Sequence, residues 1–595
     1  MGRNGPYAKT RKMGPSGCCE GAFLGGIVGV SRQGGRGGAR GASRKTKEGE
    51  TMTKGISRRN FLTGAALASV AAGAGLAGCA PSAEKKTEAA GAADATTQYE
   101  WEKAPEPISD IAETVDTDIL VIGAGLSGCA CACSAAENGG KVTVVEKTES
   151  WQGRGGGFGA INSRYMDELG IKVDTVNAKQ HWISQCASRA NEDLIVKFFN
   201  NSEEASNWLL DKAEAAGCAV MVGAFYSHDD VYAEQPGYHM CMKPEGSDLK
   251  STGFVGAEVL YNDAVKAGAE FVFNAPAVQL VKDGDKVVGC ICEADGKYVQ
   301  YNAAKGVVLC TGDIGGNLEM CKAYAPICVE YGQPRSQYTP VGANTGDGHK
   351  MGMWAGAQLQ DLPLPTMMHP QAFCWFHGPF LFVNDNGERF MCEDTWVQGK
   401  SLAINRQSNG EAWSVFDANW PEDLVAGLPY GGGMFWDSFR PYGSDLSLAP
   451  EYFKTQIPAY IEQGIAYEAD TIEELAKKIG CDASTLSKTV ERYNGMCEAG
   501  EDTDYYKKPV FLTPVKEGPF YALKVGPALL TVTGGLKTDI NFECLDADGK
   551  PIEGLYALGN CMGDITAVDY PINVAGNSHG RCITYGYLLG KDLAK

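Results

Sequence analysis

The sequence contains no long apolar segment and, over most of its length, little positive charge. The run of small apolar residues at 65–78 is shorter than the roughly 20 residues that cross a bilayer as a helix, so we do not expect it to span a membrane. The net charge is −20, but residues 1–78 carry +10, which leaves −30 for residues 79–595. Because so acidic a body repels phosphate groups, nucleic acid is excluded as a partner.

Closely spaced cysteine motifs are also absent. The chain has 21 cysteines, yet it contains no Cys-x-x-Cys pair and no Cys-x-x-Cys-His sequence. This excludes covalently attached haem of the c type and the usual clustered iron–sulfur ligands. We expect the thiols to be buried and to pack as small apolar side chains, and we predict no metal-binding residues. A 4Fe–4S cluster assembled from distant cysteines stays open as an alternative.

The N-terminal region has the pattern of an export signal. Arg58 and Arg59 stand within Ser-Arg-Arg-Asn-Phe-Leu, which is typical of the twin-arginine route, and Leu-Ala-Gly-Cys ends at Cys79. The second motif predicts a lipid on Cys79 after cleavage of the signal. We therefore expect an exported protein anchored to the membrane by this lipid. Residues 1–51 are interpreted as an over-extended gene start, 52–79 as the signal and 80–111 as a linker.

A dinucleotide-binding pattern opens the body of the chain. An apolar strand is predicted at 117–122, the turn Gly-Ala-Gly-Leu-Ser-Gly follows at 123–128, and a helix and a second strand lead to Glu146. The glycines allow a tight turn, the approach of a pyrophosphate to the backbone and close packing of helix on sheet. Unpaired N–H groups at the helix N-terminus favour the pyrophosphate, and a carboxylate at this distance binds the ribose hydroxyl groups.

Later segments resemble the flavoproteins of the fumarate reductase and succinate dehydrogenase family. They are Gln-Gly-Arg-Gly-Gly-Gly at 152–157, Val-Val-Leu-Cys-Thr-Gly at 307–312, Asn-Thr-Gly-Asp-Gly at 344–348, Gly-Leu-Tyr-Ala-Leu-Gly-Asn at 554–560 and Ala-Gly-Asn-Ser at 575–578. The resemblance implies that the dinucleotide is FAD, bound non-covalently. Together with the first turn, it assigns to FAD the residues Gly123, Gly125, Leu126, Ser127, Gly128, Glu146, Lys147, Gly153, Gly155, Gly156, Gly157, Thr311, Gly312, Asp347, Gly559, Asn560, Asn577 and Ser578.

The resemblance covers about residues 115–595 and implies the fold as well. The expected fold class is α/β, with a doubly wound FAD-binding domain and an inserted α+β clamp (capping) domain that is mobile in the family. The two parts of the FAD-binding domain are expected at 112–363 and 531–595, and the clamp at 364–530.

Most positions at which the family binds a dicarboxylate are changed in this chain. The His-Pro at 369–370 and the Arg-Phe-x-x-Glu at 389–393 are retained, but Val397 stands where the catalytic arginine is expected. Thr531 and Asn573 stand where the family has a histidine and a second arginine. Two carboxylates without arginine partners would cost several kcal/mol to desolvate. We therefore expect neither fumarate nor succinate as the substrate, and we place Thr531 and Asn573 in the substrate site.

The predicted clamp is instead rich in aromatic residues. They are Phe373, Trp375, Phe376, Phe380, Trp396, Trp413, Trp420, Tyr430, Phe435 and Trp436. We expect many of them to form ordinary core, but as a group they suit a wide apolar substrate such as a polycyclic ring system. Trp396 and Tyr430 are the aromatic residues that we assign to the substrate.

A second resemblance concerns the catalytic acid. The Tyr-Pro at 570–571 is similar to the Tyr-Pro of 3-ketosteroid dehydrogenases, in which the tyrosine assists at the steroid enone. Tyr570 is therefore a candidate proton donor, and His369 is the other. Arg154 is a candidate to stabilise an enolate oxygen. A positioned donor of this kind contributes about 10²–10⁴-fold to a rate.

Together these features predict an FAD-dependent oxidoreductase that transfers a hydride from reduced FAD to an activated C=C bond of a large apolar substrate. An enone or an unsaturated lactone, such as the lactone ring of the cardiac glycosides, is the expected group. The resemblance is to exported respiratory reductases of anaerobic gut bacteria. Residues 79–595 hold no second Gly-x-Gly-x-x-Gly turn, and NAD(P)H is not available outside the cytoplasm, so a membrane-anchored or exported cytochrome c is the expected electron donor.

Three alternatives stay open from the sequence. The first is an enzyme like 3-ketosteroid dehydrogenase that works in the oxidative direction. The second is a respiratory reductase of another unsaturated acid. The third is a flavoprotein that only relays electrons.

Overall fold

The computed structural model describes residues 99–223, 237–251, 255–329, 342–376, 378–430 and 442–595. The predicted export signal with Cys79, most of the predicted linker, and the aromatic residues Phe435 and Trp436 lie outside the described residues. None of the helices in the described part of the chain is both long enough and apolar enough to cross a membrane.

The described residues form thirteen α-helices. In chain order they are α1 (Leu126–Glu137), α2 (Arg164–Glu168), α3 (Thr175–Gln185), α4 (Glu192–Ala215), α5 (Gly256–Lys266), α6 (Leu318–Tyr324), α7 (Asp347–Ala355), α8 (Val397–Asn405), α9 (Trp420–Gly427), α10 (Ala449–Glu462), α11 (Ile472–Ile479), α12 (Ala483–Ala499) and α13 (Asn577–Leu593). Short 3₁₀ turns lie at Glu100–Glu102, Pro326–Cys328, Leu428–Tyr430, Leu446–Leu448, Pro509–Phe511 and Gly559–Cys561.

The same residues form seventeen β-strands. They are β1 (Ile111–Ile122), β2 (Val142–Val145), β3 (Phe158–Gly159), β4 (Ala219–Val222), β5 (Tyr238–Met242), β6 (Glu270–Val272), β7 (Ala277–Asp283), β8 (Lys286–Ala294), β9 (Lys297–Leu309), β10 (Thr366–His369), β11 (Leu381–Val383), β12 (Ala412–Phe416), β13 (Ala466–Ala469), β14 (Phe520–Val525), β15 (Ala528–Val532), β16 (Glu543–Leu545) and β17 (Pro551–Ala557).

A mostly parallel sheet forms the FAD-binding part of the molecule. Its strands follow the order β16-β17-β9-β1-β2-β6; β16 is antiparallel to its neighbour, and the β7–β8 hairpin joins the sheet through β9. In the register, Ile122 lies opposite both Val145 and Leu309, and Leu309 lies opposite Ala557. The carboxyl ends of β1, β2, β9 and β17 therefore lie side by side. Ligands of open parallel sheets bind at this edge.

Small residues allow helices to pack closely on this sheet. Every residue of α1 from Ser127 to Ala136 is buried, and α1 packs against α5 and α13. A Cβ added to Gly586 of α13 would lie 2.7 Å from the Cβ of Ala130. The helices α1 and α13 can therefore pack this closely only because residue 586 is a glycine. The cysteines of α1 are part of this core, as expected, and burial raises the pKa of their thiols.

An antiparallel sheet with helices on both faces forms the predicted clamp. Its order is β11-β12-β14-β13. Alternate residues of β12 face opposite sides: Val415 packs with Leu486 and Val490 of α12, whereas Phe416 packs with Leu424 of α9. This α+β unit, inserted into the FAD-binding fold, is the architecture that the sequence predicts.

Two short strands stand where the chain enters and leaves the clamp sheet. The strands β10 and β15 pair antiparallel, with Met367 opposite Thr531 and His369 opposite Ala528. They lie next to the predicted domain boundaries at 364 and 530, which stay predictions.

Most aromatic residues of the predicted clamp that lie in described residues form its own core. The rings of Phe376 and Phe453 stack with centroids 4.4 Å apart, and Phe376 lies 5.1 Å from Trp420. Phe380 joins this cluster, whereas Trp413 is buried on the opposite face of the sheet. The expectation that these aromatic residues as a group line a wide substrate site is therefore corrected. A separate sheet needs a core of its own, and aromatic side chains bury the most area.

The retained Arg-Phe-x-x-Glu motif also belongs to the clamp interior. The Arg389 guanidinium donates to both carboxylate oxygens of Glu393, over 2.8 and 2.7 Å, and to both of Asp502, over 2.9 and 2.7 Å. The buried ammonium of Lys507 lies 3.4 Å from Glu393, and the ring of Tyr493 covers the guanidinium at 5.0 Å. Two cations and two anions are thus buried together and hydrogen-bonded, which is the arrangement that buried charges require.

Candidate active site

The ends of the parallel strands bring the predicted cofactor motifs together. The backbone N–H of Gly123 donates to the carbonyl of Val145 over 2.8 Å, and that of Cys310 donates to the carbonyl of Ile122 over 2.8 Å. The predicted cofactor residues at or just beyond these strand ends are Gly123, Glu146, Lys147, Thr311, Gly312, Gly559 and Asn560.

The three glycines of the first turn are required for three different reasons. Gly123 has a φ of +105°, which favours glycine. A Cβ on Gly128 would overlap the carbonyl oxygen of Gly123, so α1 can approach the end of β1 this closely only because residue 128 is a glycine. At Gly125 the backbone is extended and no heavy atom lies within 4 Å of an added Cβ. This open space in front of the N-terminus of α1 fits a pyrophosphate. A glycine at position 125 is therefore explained by the space that the cofactor needs and not by the packing of the fold.

Glu146 is held at the end of β2 by its neighbours. Its Oε2 accepts a hydrogen bond from the backbone N–H of Ala124 over 2.8 Å, and its Oε1 accepts from the N–H and hydroxyl of Thr148 over 2.9 Å each. These bonds fix the carboxylate beside the first turn, where it fits a ribose hydroxyl pair.

Lys147 and Asp347 form an ion pair across the same edge. The Lys147 ammonium lies 2.9 Å from Asp347 Oδ2, and Lys350 lies 3.0 Å from Asp347 Oδ1. Burial alone would raise the pKa of this carboxyl, but the two lysines outweigh it and hold the pKa at about 2. Asp347, the first residue of α7, is therefore ionised at neutral pH.

The Gly-rich loop at 153–157 packs against β5 and α13. A Cβ on Gly157 would overlap the carbonyl oxygen of His239, and one on Gly155 would lie 2.5 Å from His579. A Cβ on Gly156 would lie 3.2 Å from the hydroxyl of Tyr238. Gly153 and Arg154 precede this contact and are half-buried. The loop thus presents backbone rather than side chains at the site.

The N-terminus of α13 carries the last predicted cofactor residues. Asn577 donates its side-chain N–H groups to the carbonyls of Pro571 and Val574 over 2.6 and 3.0 Å, and its buried Oδ1 has no hydrogen-bond partner in the described residues. The hydroxyl of Ser578 donates to Asn560 over 3.2 Å. A buried acceptor that protein groups leave unsatisfied at a helix N-terminus fits a bound polar cofactor.

A continuous chain of hydrogen bonds, in part fully buried, joins several of these segments. Arg581 donates to the Oδ1 of Asn560, whose Nδ2 donates to the hydroxyl of Thr531 over 2.6 Å, and that hydroxyl donates to Asp313. Asp313 also accepts from the side chain of Asn344 over 2.8 Å. Arg581 and Asp313 are both fully buried. The chain therefore joins two opposite charges through neutral groups.

Sequence reasoning missed Asp313 and Arg581, although local signals for both exist. Asp313 directly follows Gly312 in the predicted flavin strand. Arg581 lies four residues after Asn577, on the same face of α13. Their pairing depends on Asn560 and Thr531, which come from separate segments.

Tyr570 lies in an apolar cluster at the junction of the clamp and the FAD-binding part. The cluster consists of Met367, Val397, Tyr570 and Ile572, with Trp396 and Leu530 packed against it. The phenolic oxygen of Tyr570 accepts a hydrogen bond from the backbone N–H of Ser578 over 3.0 Å. Burial raises the pKa of this phenol to about 12, although Ser578 and Arg581 act in the opposite direction. Tyr570 is therefore protonated at neutral pH.

The other two candidate catalytic residues have different surroundings. His369 is buried at the end of β10, and its Nδ1 donates to Gln371 over 3.2 Å. Burial lowers the pKa of His369 to about 4, so its imidazole is neutral at pH 7. Burial is the main cause that lowers the pKa of His579, and the positive charges of Arg154 and Arg581 lower it further. Arg154 therefore lies near α13, the helix that carries His579.

The four predicted substrate residues have different surroundings. Trp396 precedes α8 and packs on the apolar cluster, whereas Tyr430 is 47% exposed and is not part of that cluster in the described residues. The Thr531 hydroxyl is engaged with Asp313 and Asn560. Asn573 donates to the carbonyl of Ala178 over 2.6 Å, and its Oδ1 lacks a partner in the part of the chain that is described. Their assignment to the substrate stays a prediction.

The cysteines form no metal centre in the described residues. All 18 of them there are free, and no three His, Cys, Asp or Glu side chains in these ranges are arranged to hold a metal ion. The alternative of an iron–sulfur cluster gains no support from this part of the chain.

Comparison with known proteins identifies the family. Residues 118–572 match the model of the FAD binding domain family. The chain is 25% identical over 505 residues to vinyl phenol reductase of Lactiplantibacillus plantarum, with 80% of this chain and 95% of that protein covered. It is 28% identical over 594 residues to digoxin reductase of Eggerthella lenta, with 91% and 98% covered.

Solved structures agree with this relationship. The open conformation of a flavocytochrome c3 fumarate reductase matches with a TM-score of 0.60 and 25% identity, over 81% of this chain and 78% of that one. The 3-ketosteroid-Δ4-(5α)-dehydrogenase of Rhodococcus jostii RHA1 matches with a TM-score of 0.61 and 25% identity, over 81% and 97%. The predicted fold class and the predicted cofactor, FAD, are confirmed. The chain thus belongs to the FAD binding domain family and is an FAD-dependent oxidoreductase of the kind that acts on carbon–carbon double bonds.

Proposed function

We propose that this chain reduces the activated C=C bond of an enone or unsaturated lactone on a large apolar substrate. The observation that carries the proposal is the packing of Val397 and Met367 against Tyr570. A tyrosine whose side chain packs among apolar residues suits a neutral, apolar substrate with one polar atom to be addressed. The lactone ring of the cardiac glycosides meets this description, and the similarity to digoxin reductase supports it.

A dicarboxylate is a poor match for the same surroundings. Val397, which stands where the catalytic arginine is expected, packs in the same apolar cluster as Tyr570. The hydroxyl of Thr531 is already hydrogen-bonded to Asp313. A carboxylate placed against Val397 would lose its water without gaining a charged partner, which costs several kcal/mol. We therefore propose that fumarate and succinate are not substrates.

Tyr570 supplies the proton in this proposal. Bound FAD, when reduced, supplies a hydride to the substrate. Addition of hydride to the β-carbon of a conjugated alkene leaves negative charge on the carbonyl side, and a proton must then reach the α-carbon. Because the phenol of Tyr570 remains protonated at neutral pH, it holds a proton for this step. The N–H of Ser578 stabilises the phenolate that remains.

His369 is the weaker of the two candidate donors. A neutral imidazole has one N–H, and the Nδ1–H of His369 is directed to Gln371. Protonation of this imidazole at pH 7 is further opposed by its burial. We therefore assign His369 to the support of the site and Tyr570 to proton transfer.

We further propose that the protein works outside the cytoplasm with electrons from a cytochrome c. The arginine pair at 58–59 and Cys79 support export and lipid anchoring. The similarity to a flavocytochrome supports an electron donor of the cytochrome type. In this scheme the cytochrome is a separate protein, because no Cys-x-x-Cys-His occurs in the chain.

An anaerobic assay with reduced viologen dye tests the proposal. The purified enzyme is offered digoxin, a simple unsaturated lactone, 4-vinylphenol, a steroid enone, fumarate and urocanate, and dye oxidation is followed. We expect turnover with the lactone or enone and none with fumarate. Turnover of fumarate alone would contradict the proposal. Dye reduction by a saturated ketosteroid would instead favour the dehydrogenase alternative, and no turnover with any compound would favour electron relay.

A further inference from the structure

Gln398 and Asp569 join the segment that carries Tyr570 to the helix that carries Val397. One oxygen of Asp569, Oδ1, accepts a hydrogen bond from the side-chain amide of Gln398 over 2.6 Å. The same oxygen accepts the backbone N–H of Tyr570 over 2.8 Å. Gln398 is buried, and its own Oε1 accepts the backbone N–H of Met368 over 2.8 Å. Its carboxamide therefore ties together β10, α8 and the Tyr570 segment.

The backbone before Tyr570 is also held at 566–567, where the hydroxyl of Thr566 donates to the carbonyl of Thr533 over 2.9 Å and the N–H of Ala567 donates to the Sγ of Cys186 over 3.4 Å. The N–H of Asp569 donates to the carbonyl of Ala567 over 2.6 Å, and Val568 between them is exposed with a φ of +63°. The bonds at Asp569 hold the backbone of Tyr570, and the N–H of Ser578 holds its phenolic oxygen.

We propose that Gln398 and Asp569 are positioning residues for the proton donor Tyr570. Gln398 belongs to the predicted clamp, whereas Asp569 belongs to the FAD-binding part. The position of the Tyr570 phenol therefore depends on the contact between α8 of the clamp and the Tyr570 segment. The inference rests on the proposed function, in which Tyr570 donates the proton. Errors of about 1 Å in such a group can cost up to about 10²-fold in rate.

Hydrogen exchange of the flavin-loaded enzyme tests the link without any substrate. Gln398→Ala removes the partner of the Met368 N–H and one donor to Asp569. We expect faster amide exchange both at 366–369 and at 567–572, although the two segments are far apart in sequence. Gln407→Ala is the matched control, because that glutamine follows α8, donates to the carbonyl of Ala403 and accepts from Asn384, away from the Tyr570 segment. Unchanged exchange at 567–572 in Gln398→Ala would overturn the proposal.

Kinetics then separates positioning from simple stabilisation. Asp569→Asn keeps an Oδ1 acceptor for both donors and should retain most of the turnover, whereas Asp569→Ala should lose about 10-fold or more in kcat with little change in KM. The solvent deuterium isotope effect on kcat should rise in Asp569→Ala and Gln398→Ala, because proton transfer becomes slower. Equal losses in the Asn and Ala variants, or a lower Tm with unchanged kcat, would refute positioning. If the wild type reduces no activated alkene, the proposed function fails, while the exchange experiment still decides the link.

Discussion

The backbone N–H of Ser578, in the first turn of α13, donates a hydrogen bond to the phenolic oxygen of Tyr570 over 3.0 Å. This bond leaves the phenol proton available for transfer. It also places the partial positive charge of a helix N-terminus next to the oxygen that becomes negative when the proton leaves. The buried Tyr570 can therefore donate its proton and have the resulting phenolate stabilised by the N–H of Ser578.

Tyr570→Phe should abolish most turnover and leave the cofactor in place. The substitution removes the hydroxyl and keeps the ring that packs on Val397 and Met367. We expect kcat to fall by about 10²-fold or more, the size of a lost general acid, with a smaller change in KM. Stopped-flow reoxidation of the reduced enzyme by substrate measures this. Full activity in Tyr570→Phe together with an inactive, flavin-loaded His369→Ala would assign the proton to His369 instead.

The pH dependence distinguishes the same two donors. A donor is active only in its protonated form, and burial holds the pKa of Tyr570 at about 12 and that of His369 at about 4. If Tyr570 is the acid, kcat should show no steep fall between about pH 6 and pH 9. Burial raises the pKa of Asp569 to about 7, but its Oδ1 can accept from Tyr570 and Gln398 in either protonation state. If His369 is the acid, kcat should fall about tenfold for each pH unit over that range, because less and less of the imidazole is protonated.

Gly125→Val should produce a folded protein without flavin. The backbone of Gly125 is extended and no protein atom lies within 4 Å of an added Cβ, so the fold tolerates a side chain there. The side chain would instead occupy the space expected for the pyrophosphate. Absorbance at the flavin bands measures the cofactor content of the purified variant, and circular dichroism measures its secondary structure. Gly495→Ala, at an exposed and open helical position, is the control and should keep the yellow colour while it gains about 0.5–1 kcal/mol of stability. Normal flavin content in Gly125→Val would contradict the assignment.

Val397→Arg should not create a fumarate reductase. The new guanidinium would be buried among the side chains of Met367, Tyr570 and Ile572, at a cost of several kcal/mol. Fumarate would still meet the hydroxyl of Thr531, which is bonded to Asp313, rather than a second cation. We expect no dye oxidation with fumarate and a loss of turnover with the lactone or enone. Val397→Ala, which keeps the site apolar, should retain turnover; efficient fumarate reduction by Val397→Arg would contradict our description of the site.

Arg389→Lys should destabilise the clamp and leave the FAD contacts intact. Lysine cannot donate in parallel to the two carboxylates of Glu393 and Asp502, which are fully buried. We expect a loss of about 1.5–3 kcal/mol in unfolding free energy, the size of a lost hydrogen bond to a charged group, because lysine keeps the positive charge. Denaturant unfolding, with flavin fluorescence as a second probe, measures it. Arg492→Lys changes an arginine that is 65% exposed in its pair with Asp504, and it should leave the unfolding free energy essentially unchanged.

The sequence by itself determined the cofactor, the fold class and the kind of reaction. These depend on local patterns: the turn at 123–128 and Glu146 follow one another within a single βαβ unit, and each residue's task comes from its position in that unit. The loss of arginine at Val397 was likewise visible in the linear sequence. It predicted, before any contact was known, that a dicarboxylate is not the substrate.

Only the tertiary structure decided which side chains meet at the reacting end of the site. Phe376 and Trp420 belong to the clamp core rather than to a substrate wall, because the faces of the clamp sheet are assigned by packing and not by composition. The bond from Gln398 to Asp569 joins residues 171 positions apart, and Thr531 reaches Asp313 across 218. No local pattern encodes such pairs. They exist because the folded chain brings distant buried polar groups together, and each such group must find a hydrogen-bond partner once water has been excluded.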